Sequence, residues 1–120
     1  MDKERTLLLN GVSDRSYIFT VYPWQTLLVC SGVVYAVLRR DRLGYSVVYI
    51  GNTGMLSGQM SDHPLLAEFN EAGKTHIGIH IEPSSFMREV KQKDLIANFI
   101  PTLNKDETKG MKENGKETKT

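Results

Sequence analysis

Two apolar runs on either side of a short polar stretch constrain the fold most: GVVYAVLR, from Gly32 to Arg39, and YSVVYIG, from Tyr45 to Gly51. Valine, isoleucine and tyrosine pack well on a pleated surface, and the intervening RRDRLGY has the length and the glycine of a hairpin loop. The pair therefore reads as an antiparallel hairpin. Upstream, SYIFTVYP has the same composition and stops at Pro23, as an extended segment or short strand would. Downstream, Asp62 is placed to cap a helix with Pro64 in its first turn, running through HPLLAEFNEA to a stop at Gly73. THIGIHIE then alternates, with Ile77, Ile79 and Ile81 on one face and His76, Gly78 and His80 on the other. Ser84 or Ser85 opens a last helix, SFMREVKQKDLIANFI, which ends at Pro101. The expected fold class is α+β, a small three-stranded antiparallel sheet flanked by helices.

A chain of 120 residues suits one domain. Residues 1–15 read as an N-terminal extension and 16–104 as the domain. From Lys105 onward five lysines alternate with four acids around a single hydrophobic residue, Met111. Such a segment cannot bury enough apolar area to offset its ordering entropy, so 105–120 reads as a disordered charged tail. The rest carries ten basic and ten acidic residues and is neutral, which gives no global electrostatic pull towards nucleic acid or an anionic membrane. The longest largely apolar stretch, TLLVCSGVVYAVL, is shorter than the ~20 residues a spanning helix needs, and the N-terminus lacks the apolar core of a signal peptide. A cytoplasmic location and no membrane partner are the expectations. Cys30 is the sole cysteine and reads as a small buried hydrophobe.

Arg39, Arg40 and Arg42, with Tyr45 close behind, combine the cations and the aromatic face that suit phosphate contact and base stacking. His76 and His80 do not suggest zinc, because positions four apart on a strand lie ~13 Å apart. Trp24, beside Pro23, reads as a core anchor.

The order of these elements and five short matches along the chain resemble the GIY-YIG endonuclease superfamily. GVVY, Gly32 to Tyr35, stands at the first tripeptide motif, and Tyr49, Ile50 and Gly51 supply the second intact. The following stretch NTGMLSGQMSDH resembles the family's next helix, with His63 at its histidine position. DLIANFIPTLN resembles the end of its last helix, and FTVYPW the opening of some small bacterial members. The resemblance covers Tyr17 to Asn104 and implies a GIY-YIG nuclease-like domain that hydrolyses DNA phosphodiesters with a divalent metal, Mg²⁺ or Mn²⁺. It gives Tyr35 and Tyr49 the task of activating water, and an arginine on the following helix the task of stabilising phosphate charge. A glutamate on the last helix would hold the metal.

The arginine position, eight residues after Gly51, is Gln59, and the glutamate position is Gln92. An amide supplies no cationic field, and its carbonyl is a weak ligand for a hard dication. Losing one preorganised donor to a developing oxyanion typically costs ~3–4 kcal/mol. Glu89, one turn before Gln92, is the residue around which a relocated metal site would form, and Arg88 is in position to line the same groove. Two readings follow. One is a catalytically degenerate pseudo-nuclease that binds DNA or a protein. The alternative is an active metal-dependent endonuclease using Tyr35, Tyr49, His63 and Glu89. No small-molecule cofactor is suggested.

Overall fold

A computed structural model describes residues 5–58 and 63–104. The chain forms β1 (Arg5–Asn10), β2 (Ser16–Pro23), β3 (Leu28–Asp41), β4 (Gly44–Gly58), α1 (Leu66–Glu71), β5 (His76–Ile81) and α2 (Ser85–Phe99). The strands make one antiparallel sheet in the order β1-β2-β5-β3-β4. The three-stranded sheet expected from sequence is thus corrected to five strands. The extra pair is a hairpin of β1, in the stretch read as an extension, and β2, in the stretch read as an extended segment or short strand but left out of the sheet. Arg5–Asn10 escapes sequence reading because Leu7 to Leu9 form an unbroken apolar run without alternation. Pairing to β2 nevertheless buries Leu9 and leaves Leu8 exposed.

Helices α1 and α2 serve two separate cores. Tyr35, Tyr49, Val33, Val37, Ile77 and Ile79 meet Phe69 of α1 and Trp24. Val34, Ala36, Leu38, Ile50, Phe19 and Val21 gather with Leu95 of α2. Alternation along β3 sends odd residues to the first cluster and even residues to the second. At Gly32, with φ +68°, the strand turns, and even-numbered Leu28 rejoins the odd-numbered cluster. Each fully buried Phe, Leu or Ile side chain contributes about 1.5–3 kcal/mol relative to exposure. β5 keeps the expected alternation, but both of its faces are covered: Gly78 packs against Phe19, and His80 lies beside Tyr17 and Phe19.

The hairpin turn is tighter than RRDRLGY suggests. Asp41 pairs with Gly44, so only Arg42 and Leu43 form the tip, while Arg39 and Arg40 belong to β3. Asp62 as a helix cap lies outside the described residues. Within them, α1 has no side-chain cap, and His63 holds the turn ahead of it by accepting from the Leu65 N–H through Nδ1 and from the Leu66 N–H through its carbonyl. Ser84 caps α2 by accepting from the Met87 N–H, and the helix ends at Ile100 in the left-handed region, just before Pro101. Among the described residues no helix is long and apolar enough to cross a membrane.

Asp94 of α2 fastens the β1–β2 turn. Its carboxylate accepts from the Ser13 N–H (2.9 Å), the Ser13 hydroxyl (2.6 Å) and the Tyr17 hydroxyl (2.6 Å). These donors favour the ionised form and hold the Asp94 pKa below its ordinary value, while burial, with Asp94 alongside, raises that of Tyr17. A carboxyl that is more acidic when folded stabilises the protein above its unfolded pKa, and that stability is lost as the pH falls through the folded value. Denaturant titrations between pH 7 and pH 2.5 are therefore expected to show stability falling below about pH 4. In Asp94→Asn the fall should be shallower and the starting stability at pH 7 lower.

Candidate functional site

The two tyrosines named by the resemblance come together. Tyr35 on β3 and Tyr49 on β4 both point to the α1 side, are nearly fully buried, and have ring centroids 6.3 Å apart. His63 sits edge-on to both, at 6.1 Å from Tyr35 and 5.5 Å from Tyr49, and packs on Phe69 at 4.7 Å. Its Nε2 lies 2.9 Å from the Tyr35 hydroxyl oxygen. Because Nδ1 accepts from the Leu65 N–H at 3.0 Å, the neutral ring carries its proton on Nε2 and donates to Tyr35. His63 in this state is a hydrogen-bond donor to the phenol. It does not serve as a base towards it. The histidine and the two tyrosines thus form one packed, hydrogen-bonded cluster on the α1 side.

Gly51 explains the second motif's glycine in steric terms. Tyr35 pairs with Gly51 across the ladder and lays its ring over it, so that a Cβ there would fall 2.4 Å from the ring's Cζ and hydroxyl oxygen.

The remaining named residues lie elsewhere. Gln92 is on α2, whose buried Leu95 packs with Ile50 on the opposite side of the sheet. Its Nε2 donates to the Ile50 carbonyl at 3.0 Å and its Oε1 accepts from the Asn52 side-chain amide. Both ends of the amide are engaged, and the one oxygen it offers is neutral. That donor set does not fit a hard divalent cation. Glu89 is exposed on α2, away from the tyrosines. Among the described residues no three His, Cys, Asp or Glu side chains are grouped to hold a metal. Gln59 lies outside the described residues.

Arg88 is buried on α2. Its Nη1 donates to the carbonyls of Glu82 (3.1 Å) and Pro83 (3.0 Å), and its Nε to Asn52 Oδ1 at 3.4 Å. Arg39, Arg40 and Arg42 mark the far end of the hairpin, with Arg39 four residues beyond Tyr35, or roughly 13 Å along the strand. Arg39 lies 4.0 Å from Asp41, and Arg40 lies over the Tyr45 ring at 5.8 Å. Trp24 is a core residue as expected, with Lys74 above its ring at 5.0 Å. A groove of about 470 Å³ separates α1 from β4, lined by Arg39, Val48, Glu68, Glu71 and Leu103. Its two carboxylates against one guanidinium make it unfavourable to phosphate.

Sequence reading missed Asn52 and gave Asn104 no role. Asn52 links Gln92 to Arg88, and alternation after Tyr49 would have placed it on the α2 side. Asn104 is almost wholly buried, accepts from the Ile50 N–H at 2.6 Å and donates to the Ile50 carbonyl at 2.8 Å. The family end-motif match at Asn104 thus coincides with a clasp on the β4 edge.

No known family profile, curated protein or solved structure matches the chain significantly.

Two substitutions test this arrangement. Gly51→Ala must displace the Tyr35 ring and is expected to cost about 1–3 kcal/mol in denaturant unfolding, as overpacking does. It should also disturb the His63 ring signals in NMR spectra. Asn104→Ala leaves a buried N–H without its partner and weakens the hold on the carbonyl, which is expected to cost about 2–4 kcal/mol on the same scale.

Proposed function

We propose that this chain is a catalytically degenerate relative of the GIY-YIG nucleases that acts by binding a nucleic-acid or protein partner. The observation that carries the reading is the state of Gln92. Where the resemblance calls for a metal-holding carboxylate, a neutral amide is bonded at both ends to Ile50 and Asn52. The Tyr35–His63–Tyr49 cluster agrees with descent from such a site in its residue types, although a buried Tyr35 hydroxyl calls for a partner such as His63 on stability grounds alone.

The groove between α1 and β4, with two carboxylates to one guanidinium, is itself a poor seat for a phosphate backbone. The relocated endonuclease has less support. Glu89 is exposed on α2, whereas Tyr35 and Tyr49 are buried beneath α1 on the other face. One metal cannot bridge ligands so divided.

Supercoiled-plasmid nicking with Mg²⁺ or Mn²⁺ tests the reading. The native protein is expected to leave the plasmid intact. Nicking that EDTA stops and that Tyr35→Phe abolishes would overturn degeneracy, because a contaminating nuclease would not respond to Tyr35.

A further inference from the structure

Among the described residues, Arg88 is a buried cation without a counter-ion. It is 8% exposed, and among the described residues the ion pairs are Arg39–Asp41 and Lys91–Glu82, neither of which involves it. Its three acceptors are the neutral oxygens of Glu82, Pro83 and Asn52. The carboxylate nearest in sequence on one side, Glu82, is held by Lys91 at 2.7 Å and by the Ser84 N–H at 3.0 Å. On the other side, Glu89 is exposed.

The location makes the lack of a counter-ion costly. Arg88 lies in the first turns of α2, where the helix dipole is positive and a cation is disfavoured. A buried guanidinium in such a place calls for an anion.

Nη2 is where one can reach it. This nitrogen has no partner among the described residues. Tyr45 Oη is the one fully buried side-chain nitrogen or oxygen there that lacks a partner, so Nη2 keeps some contact with solvent. The strands make room for it. Ser31 pairs with Met55 and Val33 with Thr53, which sets Gly32 opposite Gly54. A Cβ at Gly32 would come 3.0 Å from Nη1, and one at Gly54 would stand 3.5 Å from Nη2. Gly32 thus lets the guanidinium pack close to the strand, and Gly54 leaves open space beside Nη2 on the α2 side of the hairpin.

We propose that Arg88 Nη2, flanked by Gly54 and Asn52, is a binding site for a phosphate oxyanion. A guanidinium edge is suited to phosphate oxygens, and the site faces away from the acidic α1 groove. The proposal rests on Arg88 and does not require the tyrosine site to be degenerate. If the phosphate belongs to a polynucleotide, it supplies the contact that the binding reading needs.

Inorganic phosphate is the first probe, titrated at constant ionic strength into the full chain and followed by amide NMR and thermal unfolding. Saturable shifts at Gly54 and a rise in Tm relative to chloride are expected. Arg88→Lys is expected to weaken binding about 10- to 100-fold. Because a substitution of Arg88 can itself disturb folding, Gly54→Asp is the second variant. A Cβ at 54 makes only ordinary contact with Nη2, and the new carboxylate would act as an internal counter-ion. Gly54→Asp should raise Tm in phosphate-free buffer and abolish the response to phosphate. A short DNA oligonucleotide separates the sources. Binding that phosphate competes and Gly54→Asp removes assigns a polynucleotide, whereas phosphate binding without oligonucleotide binding assigns a free phosphate compound. A folded native protein that does not respond to phosphate, or a response that persists in both variants, would overturn the site.

Discussion

Strand β5 lies in the middle of the sheet although it follows the edge strand β4 in sequence, and most of the structure follows from that placement. To enter between β2 and β3 the chain must leave the β4 edge and cross one face. This crossing carries His63 and Phe69 over Tyr35 and Tyr49. On leaving β5 the chain returns along the other face as α2, where Leu95 closes the second core. One connection therefore assembles the tyrosine–histidine cluster, and the next sets Arg88 and Gln92 on the opposite side of the same two strands. β5 also joins the two hairpins, because it bonds to β2 on one side and β3 on the other.

A sheet built this way leaves β4 as an open edge, and open edges invite unwanted pairing. At Ile50 the edge is closed by side chains. Asn104 mimics a strand by offering an acceptor and a donor to the same residue, and Gln92 adds a second donor to its carbonyl. The helical turn at 102–104 is thereby tied to the second motif. Only an amide provides both halves of the Asn104 clasp.

Legibility in the sequence followed the range of the interaction. The long hairpin, β5 and α2 with a serine cap at 84 or 85 were legible because alternation, helix period and capping are local. Tyr35, Tyr49 and His63 were named through their resemblance to a family, and their meeting depends on the β5 crossover, which no local pattern encodes. The five-stranded sheet was missed because Arg5–Asn10 has no period of its own and becomes a strand only by pairing with Tyr17 to Val21. Arg88 was read as a groove residue. Its burial depends on Gly32 and Gly54, distant from it in sequence, which admit its guanidinium between the hairpin and the start of α2.

Asn52 connects Gln92 and Arg88 on the α2 side. Its Oδ1 accepts from Arg88 Nε while its amide nitrogen donates to Gln92 Oε1, so one side chain fixes the orientation of both neighbours. A carboxylate at position 92 could still accept from Asn52, but it would lose the donor to Ile50 and place a negative charge against that carbonyl. It would also put a counter-charge one residue away from Arg88 through Asn52. The amide reverses both effects: it secures the edge of β4 and leaves the Arg88 charge uncompensated. On the proposed reading, the amide that would be a poor metal ligand is also what leaves Arg88 open to an anion.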